Sequence, residues 1–276
     1  MSKLTPEDVV LRYSKRGMNI LKKYLKDGYC RTAAEKLLHA ERGTVLLTTG
    51  FYVAGYAETD GPLGTVAVAE ALNHLGFHSV VVTDKYCKGF FELKQLDVEY
   101  VDITADEQVY EDILDKYNPV YMISIERCGE NAEHEYANMR GVSITSETAA
   151  IDHLFERAPE KNIPTIGVGD GGNEIGMGNV KDIISEKLEL NPCVVPVDDL
   201  IIATTSNWGA YALTAWLQKL SGEEVLFTFA EAEPYLAATL EIGSVDGVLK
   251  EKKMGVDGFD MTVEKEILDS LAEAIA

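Results

Sequence analysis

Short apolar runs alternate with amphipathic stretches along most of this chain. Six runs are mostly apolar, rich in β-branched residues and only five or six residues long. Runs of this kind are typical of strands buried on both faces of a sheet. The predicted strands occupy residues 44–49, 79–83, 98–103, 120–125, 164–168 and 200–205.

Stretches with apolar residues at helical spacing separate these strands. The predicted helices occupy residues 65–75, 89–96, 107–117, 146–157, 175–188 and 208–220. A regular strand and helix alternation indicates βαβ units with parallel strands. The fold class we expect is therefore α/β, with one doubly wound, mostly parallel sheet and helices on both of its faces.

The two ends of the chain extend this core. Residues 1–42 are predicted to form an N-terminal helical segment, with Thr5 as an N-cap and a break at Asp27 and Gly28. Residues 43–276 form the α/β core, which includes a C-terminal helix capped by Thr262. No linker or low-complexity stretch divides the chain, which predicts a single domain over residues 1–276.

The composition restricts the class of function. The chain has 25 Lys and Arg against 46 Asp and Glu, for a formal net charge of −21. Such an acidic protein is a poor ligand for nucleic acid or an anionic membrane, since both need a basic surface. The polar N-terminus and the absence of a long apolar run predict no secretory signal and no membrane span. Four widely spaced cysteines favour reduced thiols, and we expect a cytoplasmic location.

Polar side chains gather where the predicted strands end. In a parallel α/β sheet, ligands bind in the crevice outside the carboxyl ends of the strands. Ser206 and Asn207 follow the last strand, and carboxylates follow earlier ones. Each residue also has an ordinary structural explanation, because Asp caps helices and turns and Glu126 with Arg127 can form a surface ion pair. The carboxylates at strand ends are Glu58, Asp60, Asp84, Glu126, Asp170 and Glu174.

The stretch from residue 167 to 178 is the least ordinary of these. It holds six glycines in twelve residues, interleaved with Asp170, Asn173 and Glu174. Glycine is favoured where the backbone approaches a ligand closely. Residues 167–172 match Gly-x-Gly-x-x-Gly, which suggests a dinucleotide site. However, Asp170 would repel a pyrophosphate, so a direct NAD-binding role is disfavoured.

Carboxylates gathered in one crevice predict a divalent metal ion. They cannot all stay ionised unless a cation joins them or their pKa values rise. Carboxylate and carbonyl oxygens suit Mg²⁺ or Mn²⁺. The first candidate ligands are Asp60, Glu126, Asp170 and Glu174, and the weaker ones are Glu58, Asp84, Asp246 and Asp257.

Five motifs, taken in order, resemble the D-glutamate cyclase C-terminal-like family, which was long catalogued as a domain of unknown function. They are Glu-Thr-Asp-Gly-Pro at 58–62, Glu-Arg at 126–127, Asn-Met-Arg-Gly at 138–141, Gly-Asp-Gly-Gly-Asn-Glu-Ile-Gly-Met-Gly at 169–178 and Ser-Asn-Trp-Gly at 206–209. The resemblance extends from about residue 48 to the Asp-Gly turn at 257–258. It implies conversion of D-glutamate into 5-oxo-D-proline and water.

The resemblance also implies roles for individual residues. A metal ion would neutralise the substrate's γ-carboxylate as a Lewis acid. Glu126 would take the amine proton, and Arg127 or Arg140 would hold the α-carboxylate. Further contacts with the substrate are expected from Gly171, Gly172, Asn173, Asn138, Ser206 and Asn207.

Two other functions fit the same residues. A metal-dependent phosphohydrolase would use the acidic cluster for Mg²⁺ or Mn²⁺ and the glycine-rich amides for phosphate. A non-catalytic protein that binds a metal or metabolite is the third interpretation. In the two enzymatic cases the partner is a small anionic metabolite, which cannot approach the carboxylates without a cation. A homo-oligomer is compatible with the sequence.

Overall fold

A six-stranded parallel sheet forms the centre of the molecule, in the order β5-β4-β1-β6-β7-β8. The computed structural model describes residues 4–276, so residues 1–3 of the predicted N-terminal segment lie outside the described part. The strands are β1 (Thr44–Thr48), β2 (Tyr52–Val53), β3 (Tyr56–Ala57), β4 (His78–Thr83), β5 (Asp97–Tyr100), β6 (Tyr121–Ile125), β7 (Thr165–Gly169), β8 (Asp199–Ile202), β9 (Gly255–Val256) and β10 (Phe259–Asp260).

The strand order reverses beside β1, which pairs with β4 on one side and with β6 on the other. The chain first builds outward from β1 through β4 to β5. It then crosses back to β6 and builds outward through β7 to β8. This is the doubly wound arrangement, and a crevice opens where the order reverses. The predicted fold class is therefore confirmed.

Helices surround the sheet. They are α1 (Pro6–Val10), α2 (Met18–Leu21), α3 (Tyr29–His39), α4 (Pro62–His74), α5 (Glu107–Tyr117), α6 (His153–Lys161), α7 (Lys181–Leu188), α8 (Ser206–Ser221), α9 (Phe229–Ile242) and α10 (Met261–Ile275). Helix α8 packs against α3, α4 and α10, and α5 packs against α6. Short 3₁₀ turns cover Lys22–Tyr24, Lys85–Cys87, Phe91–Lys94, Thr145–Glu147 and Met177–Val180.

Helices α4 and α8 cross closely near the crevice. A Cβ placed on Gly64 would lie 2.8 Å from the Cβ of Ala210 and 2.9 Å from the Cα of Asn207. Both helices begin at this crossing, α4 after the β2–β3 hairpin and α8 shortly after β8. Glycine at this position therefore allows two helix N-termini to meet at the strand ends.

The N-terminal segment is less helical than predicted. The side chain of Thr5 caps α1, but α1 ends at Val10 and α2 begins only at Met18. The intervening residues are held by tertiary contacts. The ring of Tyr13 packs on Trp208 and Phe259, at centroid distances of 6.2 and 5.9 Å. This aromatic packing overrides the local helical pattern of the sequence.

Other element boundaries also differ from the prediction. The helix expected over residues 146–157 is α6, which begins only at His153. The helix expected from residue 175 is α7, which begins at Lys181 after a 3₁₀ turn. The cap of α10 is Asp260 rather than Thr262, because its carboxylate accepts the amides of Thr262 and Val263. The segments before α6 and α7 are loops, and both line the crevice.

One buried carboxylate joins the C-terminal helix to the core. Glu264 on α10 is 1% exposed. The indole Nε1 of Trp208 donates to one of its oxygens at 2.6 Å, and the hydroxyl of Tyr211 donates to the other at 2.9 Å. Burial raises the pKa of Glu264, and these two hydrogen bonds partly lower it. The helix is thus attached to α8 through fully paired polar atoms.

No helix in the described residues is long and apolar enough to span a membrane.

Candidate active site

A cavity of about 530 Å³ opens at the carboxyl ends of β1, β6 and β7, beside the reversal of strand order. Its walls come from the N-terminal segment, the β2–β3 hairpin, the loop after β6, the glycine-rich loop after β7 and the turn near Val248. Among the predicted site residues, those that line it are Glu58, Glu126, Asn138, Arg140, Asp170, Asn173 and Glu174. A groove of about 760 Å³ elsewhere contains none of the predicted site residues.

Three carboxylates meet at the base of this crevice. Asp60, Glu126 and Asp170 each offer an oxygen atom, and these atoms lie within 4.8 Å of one another. All three side chains are almost completely buried, at 1%, 4% and 0% exposed. We call Asp60, Glu126 and Asp170 the carboxylate cluster. The sequence prediction that the strand ends bring these three residues together agrees with the structure.

Asp60 is held by the start of α8. The backbone amides of Ser206 and Asn207 donate to its two oxygens at 2.8 and 2.7 Å. The positive end of the helix dipole and these amides favour the ionised form. Even so, burial and then the charges of Asp170 and Asp257 raise the pKa of Asp60 well above its ordinary value.

Glu126 occupies a left-handed backbone conformation, with φ of +50°, directly after β6. The Ser206 hydroxyl donates a short hydrogen bond to one carboxylate oxygen. Burial first, and then the charges of Asp170, Glu174 and Asp60, raise the pKa of Glu126 well above the ordinary value. Glu126 therefore retains a proton at a pH where an exposed glutamate has lost it. Strained backbone at a buried acid is typical of functional sites.

An arginine that the sequence analysis did not single out neutralises the other side of the cluster. Nη1 of Arg16 lies 2.7 and 2.8 Å from the two oxygens of Asp170 and 2.7 Å from Oδ2 of Asp257. Burial alone would lower the pKa of Arg16, but Asp170 and Asp257 outweigh it and raise the value. The acidic crevice thus contains one cation of its own, the guanidinium of Arg16, on the side of Asp170 and Asp257.

Asp170 and Asp257 share this arginine and face each other. Burial raises the pKa of Asp170 to about 6, against the lowering effect of Arg16. Burial and the charge of Asp170 raise the pKa of Asp257 to about 7. The second oxygen of Asp257, Oδ1, is buried without a hydrogen-bond partner in the described chain. Asp257, a weaker metal candidate from the sequence, therefore lies against the cluster.

Glu174 and Glu58 lie beside the cluster with different environments. The oxygens of Glu174 accept the amides of Gly171 and Gly172, both at 2.7 Å, so this side chain fastens its own loop. Burial and the charges of Asp257 and Asp60 raise the pKa of Glu58 well above its ordinary value. In the residues that the structure describes, no donor bonds the carboxylate of Glu58.

Four of the predicted site residues that do not line the cavity make contacts inside the protein. Arg127 is fully buried, and its Nη1 donates to Asp84 at 2.7 Å while its Nη2 donates to the carbonyl of Ala149 at 2.6 Å. Asp246 accepts the amides of Val248, Leu249 and Gly258. Asn207 accepts the amides of Gly61 and Gly64 and joins α4 to α8. These geometries are structural, and Arg127, Asp84, Asp246 and Asn207 do not line the cavity.

The rim of the cavity is basic and polar. Asn138 shapes a tight turn by accepting the amides of Arg140 and Val142 at 2.9 and 3.2 Å. Arg140 is exposed, and its guanidinium has no ion pair or hydrogen bond to another described residue. Lys250 lies on the rim as well. Cations at the mouth and carboxylates at the base give the cavity two ends of opposite character.

The chain is similar to proteins of a known family. The family model described as D-glutamate cyclase-like, C-terminal, matches residues 7–272. The chain belongs to this family. It is 32% identical over 259 residues to D-glutamate cyclase, mitochondrial, of Homo sapiens, in a match that covers 80% of this chain. The same match spans 40% of the human protein, so the shared region is less than half of that relative.

Solved structures show weaker likenesses. UDP-glucose 4-epimerase from Brucella ovis in complex with NAD is 16% identical with a TM-score of 0.31, and covers 54% of this chain and 49% of its own. The Bordetella bronchiseptica enzyme WbmH in complex with NAD⁺ is 13% identical with a TM-score of 0.33, and covers 84% of this chain and 71% of its own. These scores support no conclusion about fold or ligand.

Proposed function

We propose that this protein is an enzyme that cyclises D-glutamate to 5-oxo-D-proline and water. Family membership and the human D-glutamate cyclase relative support the reaction class. The observation that carries the proposal is Glu126, a buried carboxylic acid with a raised pKa that lines the cavity. A buried acid that holds its proton more tightly than an exposed glutamate can accept a proton from one group and return it to another.

The chemistry has three demands. The ammonium must lose protons, its nitrogen must attack the carbon of the γ-carboxylate, and one carboxylate oxygen must leave. The nitrogen loses two protons in all, and the departing oxygen gains two to become water, so no co-reactant is needed. A group that carries protons from nitrogen to oxygen is therefore sufficient, and the raised pKa of Glu126 suits that task.

The rim and base of the cavity fit the two ends of the substrate. Arg140 at the mouth is unpaired in the described chain and can hold the α-carboxylate. Asn138 and Asn173 line the same wall, and the Nδ2 of Asn173 is fixed by the carbonyl of Ala137 at 2.7 Å. We assign Arg127 no contact with substrate, because it is completely buried and its two terminal nitrogens donate to Gly50, Asp84 and Ala149.

The carboxylate cluster also fits a divalent cation. Three carboxylate oxygens within 4.8 Å of one another form a hard donor set of the kind that Mg²⁺ or Mn²⁺ prefers. We propose Asp60, Glu126 and Asp170 as its ligands, since these are the three side chains whose oxygens lie together. When bound, such an ion would supply positive charge to the γ-carboxylate.

The phosphohydrolase alternative draws on the same carboxylates but loses its phosphate donors. The amides of Gly171 and Gly172, which the sequence analysis offered to a phosphate, donate to Glu174 instead. No other observation favours phosphate, and we retain the cyclase as the proposal.

A direct assay tests this function. Purified protein is incubated with D-glutamate and, separately, with L-glutamate, in EDTA, Mg²⁺ or Mn²⁺, and oxoproline is measured by chiral mass spectrometry. We expect 5-oxo-D-proline from the D-enantiomer. The absence of product under every metal condition, from protein with a cooperative thermal transition, contradicts the proposal.

A further inference from the structure

We propose that Arg16 binds a carboxylate group of the substrate and holds it beside Glu126, an inference that rests on the proposed cyclisation of a dicarboxylate. Arg16 belongs to the N-terminal segment between α1 and α2, far in sequence from the other site residues. It lines the cavity together with Glu126 and Asp170.

One nitrogen of Arg16 fixes the side chain in place. Nη1 is bound by both oxygens of Asp170 and by Oδ2 of Asp257, at 2.7 to 2.8 Å. An arginine has five N–H donors, and Nη1 carries two of them. Within residues 4–276, neither Nε nor Nη2 of Arg16 donates to a protein acceptor. Three donors therefore stay available on a guanidinium that the protein already orients.

The solvent exposure of Arg16 agrees with a side chain that is bound on one edge and free on the other. Its side chain is 24% exposed, whereas Asp170 and Asp257 beneath it are 0% and 4% exposed. The part of the guanidinium that is not covered by carboxylates is thus accessible. Nε and Nη2 form the planar edge with which arginine binds a carboxylate in a bidentate manner. A purely structural arginine, such as Arg127, is completely buried instead.

The N-terminal segment is built to present this side chain. Tyr13 is anchored by its ring on Trp208 and by its hydroxyl, which donates to Glu266 at 2.9 Å. Gly17 has φ of +85°, and a Cβ there would lie 2.3 Å from Leu188. Residues on both sides of Arg16 are therefore fixed against the core. A preformed position lowers the entropic cost of binding a ligand.

The charge pattern explains why the ligand is a carboxylate. An anionic group that approaches Asp60, Glu126 and Asp170 is repelled unless a cation lies beside it. Arg16 supplies that cation at the base, and Arg140 supplies a second one at the rim. Two cations at two depths of one cavity match the two carboxylates of a glutamate. Arg16 then takes the γ-carboxylate, the group that reacts, and Arg140 takes the α-carboxylate.

Binding of glutarate tests the inference separately from turnover. Glutarate has both carboxylates but no amine, so it cannot cyclise. Its dissociation constant is measured by titration calorimetry for the wild-type chain and for Arg16→Gln, Arg16→Lys and Arg12→Gln. The last variant is the matched control, since it removes a cation from the same segment that pairs with Glu266 outside the cavity.

We expect Arg16→Gln to weaken glutarate binding by about 10- to 100-fold, as for the loss of a charged hydrogen-bonded pair. Arg16→Lys retains the charge near Asp170 and the melting temperature, but it lacks the bidentate edge and weakens binding by about 10-fold. Arg12→Gln leaves binding within about two-fold. Where D-glutamate turns over, KM rises in the Arg16 variants in the same order.

Three results overturn the inference. Unchanged glutarate affinity in folded Arg16→Gln or Arg16→Lys shows that Arg16 only balances charge. If the wild-type chain binds no dicarboxylate, the proposed class of ligand is wrong. Equal weakening in Arg12→Gln shows a long-range charge effect. Glutarate binding that depends on Arg16 without any oxoproline formation supports the subsite and contradicts the cyclase, so the two failures are distinguishable.

Discussion

Buried carboxylates in two regions of this protein have opposite environments. In the scaffold, Glu264 is bound by Trp208 and Tyr211, and all three polar contacts of Asp246 are backbone amides. In the cavity, Glu58 has no donor among the described residues, and Oδ1 of Asp257 is buried without a partner. Scaffold carboxylates have their hydrogen bonds satisfied, while several cavity carboxylates face one another.

This difference separates structural acids from functional ones. A buried carboxylate with a full set of donors stabilises the fold and leaves nothing for a ligand. A buried carboxylate that faces like charges destabilises the folded protein. A ligand, a proton or a cation at the site relieves this repulsion. Burial alone does not distinguish the two groups, because both are nearly inaccessible. Hydrogen bonding separates Glu264 and Asp246 from Glu58 and Asp257, whereas Asp60 is bound by backbone amides and also faces Asp170.

The largest expected effect is on turnover. Glu126→Gln keeps the shape of the side chain and its contact with Ser206 but cannot carry a proton. We expect kcat for oxoproline formation to fall by about 10²- to 10⁴-fold, the contribution of a positioned acid and base. The measurement is initial rate by mass spectrometry at saturating D-glutamate.

Glu264→Gln is the matched control for this prediction. It replaces an equally buried carboxylate in the scaffold, each oxygen of which accepts a hydrogen bond from Trp208 or Tyr211. We expect its kcat to stay within about two-fold of the wild-type value, since α10 does not line the cavity. A comparable loss in both variants would show that charge removal anywhere in the core impairs turnover, and the distinction between the two regions would fail.

The second effect is on folding. Glu264→Ala leaves the indole of Trp208 and the hydroxyl of Tyr211 without their acceptor inside the core. We expect the free energy of unfolding to fall by about 2–4 kcal/mol, from lost hydrogen bonds and an added cavity. Denaturant titration by circular dichroism measures it. An unchanged midpoint would mean that water replaces the carboxylate.

The sequence was informative about the sheet and about the three carboxylates of the cluster. Glu126 and Asp170 directly follow the parallel strands β6 and β7, and Asp60 lies in the connection from β1 to α4, after the β2–β3 hairpin. The carboxyl ends of parallel strands meet at one edge of the sheet whatever the details of packing. The direction in which each side chain points could not be predicted from the sequence in the same way. Arg127 is adjacent to Glu126 but faces the core and pairs with Asp84, because successive residues at a strand end point to opposite sides.

Arg16 was missed for a different reason. The local pattern of residues 1–42 indicated helix, and a helix would carry Arg16 on its solvated face. The actual conformation depends on Tyr13 packing against Trp208 and Phe259, contacts with residues about 200 or more positions away. The only local signal was Gly17, which directly follows Arg16 and adopts a positive φ. Long-range aromatic packing therefore decided which cation enters the site.

The third prediction tests the strain that we infer in the cavity. Glu58→Gln removes a carboxyl group that faces Asp257 and Asp60 and has no donor of its own in the described chain. We expect the free energy of unfolding at neutral pH to rise by about 1 kcal/mol, as for other relieved functional sites. Asp246→Asn, in the scaffold, is the control. It should destabilise the protein, because an amide nitrogen replaces one of the two oxygens that accept three backbone amides. Destabilisation by Glu58→Gln would contradict the contrast between the regions.

The smallest effect is the pH dependence of stability from Glu264. Its pKa is raised by burial, so the folded state binds the proton more tightly than the unfolded state does. The stabilisation that this raised pKa contributes is fully present at a pH below the ordinary pKa of glutamate. It falls as the pH rises through the pKa of the folded state. Glu264→Gln has no such proton, so the wild-type minus variant difference in unfolding free energy should decline from pH 4 to neutrality. Urea titrations of both proteins at matched ionic strength measure this difference, and a difference that increases with pH would show that Trp208 and Tyr211 stabilise the carboxylate more than burial opposes it.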